Sequence, residues 1–138
     1  MFKHIKTSGA NRQVVTDLTR KLGLGAENIV ARIALAYSLG KKHKFTPTDV
    51  LDSTGKEYSA NILFGSNGKV YLAMLCALYG IKENDRTIPR LFKAHLDDGL
   101  QMIDKELRDN PNITGFDYLI DKINDGLNIK VCHYGSRR

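Results

Sequence analysis

Cysteine is nearly missing from this 138-residue chain: Cys76 and Cys132 are the only two. Two thiols without a pattern exclude a disulfide scaffold and a structural zinc site, and they suit a reducing cytoplasm. Cys76 lies inside an apolar helix-like run and reads as a small core residue. Cys132 reads as a free thiol near the C-terminus with no neighbour to activate it. Long apolar runs are missing too. The longest, Val70–Tyr79, would reach roughly 15 Å as a helix, about half the ~30 Å hydrocarbon core, so no membrane is expected as a partner. Met1–Ala10 has no apolar segment of a secretory signal. His4, His43, His95 and His133 show no paired spacing, so no metal is expected, and no cofactor either. Gly65–Lys69 lacks the spacing of a phosphate loop and reads as a turn. Tyr37, Tyr58, Tyr71 and Tyr79 are too scattered to form a base-stacking row.

The first third also lacks negative charge. Residues 1–44 hold nine Lys or Arg against two acids, while residues 97–125 hold eight acids against three bases. The formal net charge is +6. Positive charge gathered on a folded element is the electrostatic footprint of a nucleic-acid binder. With 42% hydrophobic and 26% charged residues, the chain is expected to form one globular domain spanning residues 1–138.

The apolar pattern predicts a mainly α, single-domain helical bundle with one or two short strands. Phe2–Ser8 alternates weakly, as a strand would. Ser8 or Asn11 caps a helix to Leu22, with Val14, Val15, Leu18 and Leu22 inward and Gly23 as its stop. A second helix, Ala26–Leu39, is apolar nearly all round and therefore central. Its one interior cation, Arg32, must snorkel or find a partner. Lys41–Asp49 is a basic loop closing at Pro47. Glu57–Phe64 reads as a strand and Gly65–Gly68 as a turn. Lys69–Tyr79 is a second strongly apolar helix, stopped by Gly80. Both apolar helices can be satisfied inside one monomer. Thr87 and Pro89 open the most regular helix, Ile88–Leu107, whose Gly99 suggests close helix approach. Thr114 caps a last helix, Gly115–Ile123, with Phe116, Leu119, Ile120 and Ile123 inward. A flexible tail is expected over residues 126–138.

Strand, helix, glycine turn (Gly23-Leu24-Gly25) and helix give the N-terminal part a ribbon-helix-helix-like order. In such a unit the strand enters the major groove and the start of the second helix holds a phosphate, here near Gly25, Ala26 and Glu27. An ordinary helical hairpin fits the same order. Catalysis has less support. Asp49, Asp52, Lys56 and Glu57 loosely match a metal-dependent nuclease cluster but lack its strand-borne acid-x-Lys element. Asp97, Asp98 and Asp104 do not converge by spacing, and Asp98 is expected to face solvent. His95 reads as a histidine at the core boundary.

Three segments in order resemble the DndE family of DNA phosphorothioation systems: Asn28–Leu39 (NIVARIALAYSL), Gly55–Gly65 (GKEYSANILFG) and Leu91–Leu100 (LFKAHLDDGL). The resemblance covers about residues 8–107. It implies a small, mostly helical cytoplasmic protein that works with the other proteins of the sulfur-modification complex. It further implies binding of double-stranded DNA, intact or nicked, through surface lysines, and homo-oligomers in some members. The sulfur chemistry belongs to the partner proteins, and no catalytic residue carries over. The expected function is that of a DNA-binding accessory subunit. A DNA-nicking endonuclease and an adaptor for an acidic partner protein are the alternatives. The expected phosphate contacts are Arg12, Arg20, Lys21, Lys41, Lys42, Lys44 and Lys69.

Overall fold

The computed structural model describes residues 2–46 and 52–134, with side chains described as far as Asp125. Chain order is β1 (His4–Lys6), α1 (Gly9–Leu22), α2 (Glu27–Gly40), β2 (Glu57–Ser59), α3 (Ala60–Phe64), a 3-10 turn (Gly65–Asn67), α4 (Gly68–Tyr79), α5 (Ile88–Asp109) and α6 (Gly115–Tyr134). The mainly helical bundle with a small sheet is thus observed.

Helix α5 organises the core, because its apolar residues recur on one face at three- and four-residue steps. Ile88, Phe92, Leu96, Gly99, Ile103 and Leu107 are all buried, as that spacing predicts. Helix α2 lies across it through Val30, Ala31, Ala34, Leu35 and Leu39. At Gly99 the two backbones touch: a Cβ there would run into the carbonyl of Ala34. Only a residue without a side chain permits that approach.

Ser8 caps α1 by accepting from the Asn11 N–H, and Gly23 ends it in the left-handed conformation (φ 61°). Its inward stripe is Asn11, Val15, Leu18 and Leu22, with Val14 only half-buried. Asn11 tolerates burial because Asp97 accepts from its Nδ2 at 2.7 Å and Gln101 donates to its Oδ1 at 2.6 Å.

Four expectations need correction. Glu57–Phe64 is a strand only to Ser59, whose side chain accepts from the Ile62 N–H and starts α3. Capping at Ser59 outweighs the β-prone residues that follow it. Helix α4 is not enclosed within the monomer: Leu75 is its one fully buried residue, and Val70 is 57% exposed. Helix α6 turns Phe116, Ile120 and Ile123 outward and buries Gly115 and Tyr118 instead. Gly115 abuts the Leu22 carbonyl, and Tyr118 and Lys122 both reach Glu106; those anchors fix the rotation of the helix. Finally, the last helix, expected to end at Ile123, continues to Tyr134. Cys132 and the end of the tail lie outside the described side chains.

The strand–helix–helix order is present at the N-terminus. Its strand, however, pairs antiparallel with β2 of the same chain, Ile5 opposite Tyr58. Thr7 extends the pairing to Lys56 and Gly55. A strand held this way is not the free ribbon that enters a groove in a ribbon-helix-helix unit.

Candidate functional site

The basic loop begins where α2 runs out. Lys41 caps the helix, and Lys42 takes a positive φ of 59° to turn the chain away. Lys41, Lys42 and Lys44 are all exposed. The Lys41 ammonium lies 5.1 Å from the centre of the Tyr37 ring, a cation–π distance. Among the described residues neither Lys42 nor Lys44 forms an ion pair. The closing part of this loop, Pro47 to Leu51 with Asp49, lies outside the described residues.

Phe45 pins the loop to the bundle. Its ring meets the His95 ring edge-on at 4.8 Å, and its N–H donates to the Tyr79 hydroxyl at 2.8 Å. That hydroxyl is hydrogen-bonded to His95 Nε2 at 2.7 Å, and His95 Nδ1 to Ser38 Oγ at 2.8 Å. Ser38 in turn donates to Asp98 at 2.7 Å. One proton assignment satisfies every member: Tyr79 donates to Nε2, Nδ1–H donates to Ser38, and Ser38 donates to the carboxylate. The ring is therefore neutral. Burial pushes His95 down to about 4, against a smaller upward pull from Asp98. The expected boundary histidine is thus fully buried and joins α2, α4 and α5. Asp98, expected to face solvent, is its distal acceptor.

The other cations divide into free and engaged. Arg12 donates to the Gly55 carbonyl at 2.9 Å, and Arg20 pairs with Asp17 at 3.3 Å on the surface. Lys21, following Arg20 near the end of α1, and Lys69, in the first turn of α4, are exposed and free of ion pairs among the described residues. Helix α2 has 14 residues, so its start, which follows Arg20 and Lys21 in the chain, and its end, which precedes Lys41–Lys44, are about 20 Å apart. The seven residues come from three places in the chain order: α1, the loop after α2 and the first turn of α4.

Arg32 does not join them. Its guanidinium donates to the carbonyls of Leu63 (2.7 Å) and Ile62 (3.0 Å), closing the end of α3. Arg32→Ala is expected to cost about 1–3 kcal/mol, read as a shift in the urea midpoint, because it leaves those carbonyls without their charged donor. Arg32→Lys should recover only part of the loss, since an ammonium cannot fork across both. An unchanged midpoint in Arg32→Ala would contradict this capping role.

The start of α2 is not an open phosphate site. Glu27 sits there, held by Lys56 at 3.4 Å and Thr16 at 3.3 Å, so the anion at that helix start is the chain's own. The nuclease-like acids have separate partners. Asp52 accepts from Thr54 and the Gly9 N–H, bonds that hold its carboxyl below the usual range. Glu57 pairs with Lys6 at 3.7 Å and Lys56 with Glu27. No three His, Cys, Asp or Glu gather into a ligand set among the described residues.

Phe45 escaped the sequence reading, although its signal was there: a single aromatic residue closing a run of Lys and His. Tyr79 and His95 carried no such signal, because their meeting depends on how α4 and α5 cross.

The family model described as DNA sulphur modification protein DndE matches residues 4–110. Among solved structures, DndE from Escherichia coli B7A, described as involved in DNA phosphorothioation modification, has a TM-score of 0.60 at 20% identity. That match covers 75% of this chain and 98% of that one. A DndE carrying two glycine-to-lysine changes, described as involved in DNA phosphorothioation, gives a TM-score of 0.61 at 18% identity over 75% and 98%. At these identities the likeness is one of fold. No curated protein matches the chain.

Proposed function

The chain belongs to the DndE family of DNA sulphur modification proteins, and from that premise we propose that it is a DNA-binding accessory subunit of a phosphorothioation system. It contacts the backbone of duplex DNA, intact or nicked, alongside the other proteins of that system. The observation that carries this reading is the Lys41–Lys44 loop: three exposed lysines within four residues, on a turn fixed by Phe45. Ammonium groups held out from a rigid base lose little freedom on meeting phosphates. Lysines placed this way position a protein on DNA without reading its sequence. Lys21 and Lys69 extend the basic surface. Duplex DNA carries a charge about every 1.7 Å along its axis, so cations about 20 Å apart can engage one duplex.

Salt titration tests the proposal. Affinity for duplex DNA should fall steeply with salt. Replacing Lys41, Lys42 and Lys44 together by glutamine should reduce the slope of log affinity against log salt by about 3, roughly one counterion per contact. A slope that does not change would remove this loop from the interface. Phe45→Ala leaves every charge in place, yet should weaken binding severalfold by releasing the turn.

A further inference from the structure

Lys42 is the one non-glycine residue in the left-handed region among the described residues, with a φ of 59°. That conformation crowds Cβ against the backbone, a cost that glycine would avoid. Residues held this way persist where their surroundings over-determine them. On the near side the hold is plain. The N–H groups of Lys41 and Lys42 donate to carbonyls in the last turn of α2, Lys42 to Leu39 at 3.1 Å. On the far side no backbone–backbone bond secures His43, Lys44 or Phe45 among the described residues. That end is held by side chains: the Tyr79 hydroxyl on the Phe45 N–H, and the His95 ring against the Phe45 ring.

We propose that Tyr79 and His95 are positioning residues of the basic turn: the Tyr79 hydroxyl, aimed by His95, keeps Lys41, Lys42 and Lys44 in the shape that meets a phosphate backbone. The consequence for DNA rests on the DNA-binding reading above; the hold on the turn does not. The direction of the relay is dictated from its buried end. The Asp98 carboxylate can only accept, so the Ser38 proton points at it. The Ser38 oxygen then accepts from Nδ1–H of His95, which leaves Nε2 without a proton. A bare Nε2 can only accept, so it takes the Tyr79 proton. The lone pairs of the Tyr79 oxygen are left for a donor outside the helices, the Phe45 N–H at 2.8 Å. A carboxylate on α5 thus sets, through three side chains, which way a hydroxyl faces the loop.

Tyr79 is suited to this task by its place. It is the last residue of α4, directly before Gly80 in the left-handed conformation, and it is half-buried. Its ring packs edge-on against His95 at 5.7 Å. Burial raises its hydroxyl above the usual value, against a smaller downward pull from the Phe45 N–H, so the phenol keeps its proton. Tyr79→Phe removes one oxygen and leaves the ring, every lysine and every charge in place. It therefore separates the hold on the turn from the packing of the helices.

Trypsin reads the turn without DNA, because it cuts after lysine and needs a locally opened chain. Cleavage after Lys41, Lys42 and Lys44, mapped by mass spectrometry on the full chain, should be about tenfold faster in Tyr79→Phe than in the wild type. Cleavage after Lys105, exposed on α5, should not change. On duplex DNA, Tyr79→Phe should bind about three- to tenfold more weakly with an unchanged salt slope, since no contact charge is lost. His95→Phe keeps a ring but makes neither hydrogen bond, and should open the turn in the same way. His95→Gln can accept from Tyr79 and donate to Ser38, and should recover most of the protection. Equal loop cleavage in Tyr79→Phe and the wild type overturns the proposal, as does faster cleavage with unchanged affinity. A wild type that does not bind DNA removes the DNA-binding reading, and loop cleavage then decides alone whether Tyr79 holds the turn. Should the variants fail to fold by circular dichroism, hydrogen exchange on the wild type decides. Its Phe45 amide should exchange at least about tenfold more slowly than in an unstructured peptide, and exchange at the free rate overturns the proposal.

Discussion

Alanine at position 99 is expected to destabilise the protein by more than about 3 kcal/mol, or to prevent its folding. The new methyl group would lie within hard contact of the oxygen, carbon and Cα of Ala34. These are backbone atoms of α2, so no side-chain rotation relieves the clash, and the α2–α5 packing must open. Overpacking of a core ordinarily costs about 1–3 kcal/mol, and a clash with backbone belongs at or beyond the upper end. The gain of about 1 kcal/mol from replacing a mid-helix glycine is too small to offset it. Against a total stability of roughly 5–15 kcal/mol for such a domain, the loss is severe. Gly40 supplies the control. It also lies in a helix, but a Cβ there meets nothing within 4 Å, so Gly40→Ala should be neutral or stabilising by up to about 1 kcal/mol. Urea unfolding of the two variants should move the midpoint in opposite directions or leave Gly40→Ala unmoved. A Gly99→Ala protein as stable as the wild type would mean that the helices do not touch there.

The second large effect is on acid stability. His95 titrates near 6.5 in an unfolded chain and about 4 in the folded one, chiefly because burial disfavours its charged form. Between those values the unfolded chain binds a proton that the folded chain refuses. Stability therefore falls as pH is lowered from about 6.5 to about 4, and the residue contributes nothing further below that. The loss approaches about 3 kcal/mol. Asp98 and His43 are the charged and titratable neighbours that set this value besides burial. Glu106 adds to the acid sensitivity with the same sign. Burial pushes its carboxyl up, but bonds from Lys122, Tyr37 and Tyr118 outweigh burial and hold it below the usual range. His95→Gln isolates the histidine. A glutamine can still donate to Ser38 and accept from Tyr79, but it does not titrate. Its unfolding free energy should be flatter than that of the wild type between pH 6.5 and 4. Parallel curves for the two proteins would show that His95 is not the residue responsible.

The core was largely legible in the sequence because α5 obeys its own period. Ile88 to Leu107 repeat so regularly that one face could be assigned, and Gly99 stood out within it. The end caps were legible for the same local reason, Ser8 and Gly23 among them. Helix α6 was misassigned because periodicity identifies a stripe but not the direction it faces. The rule that apolar residues point inward was overridden by Gly115 against Leu22 and by the Glu106 cluster. The candidate site divides in the same way. The Lys41–Lys44 cluster could be read from spacing alone. That Arg12 and Arg20 are occupied within the chain could not, since Gly55 is distant in sequence and the Asp17 pair is a surface choice of rotamer. The relay from Phe45 to Asp98 joins residues from positions 38 to 98 and exists only once α2, α4 and α5 have packed.

The dependence of α2 on α5 also governs how the chain can be made. Helix α2 is apolar nearly all round, yet its main partner begins only at Ile88. Ser8 and Asn11 likewise wait for Asp97. During synthesis the first helices emerge long before the element that covers them, so their apolar surface is open to chaperones and to self-association in that interval. A fragment ending before α5 would carry the basic loop but lack the floor on which it rests. The basic loop is therefore not a detachable module, and it takes its place only when the second half of the chain has been delivered.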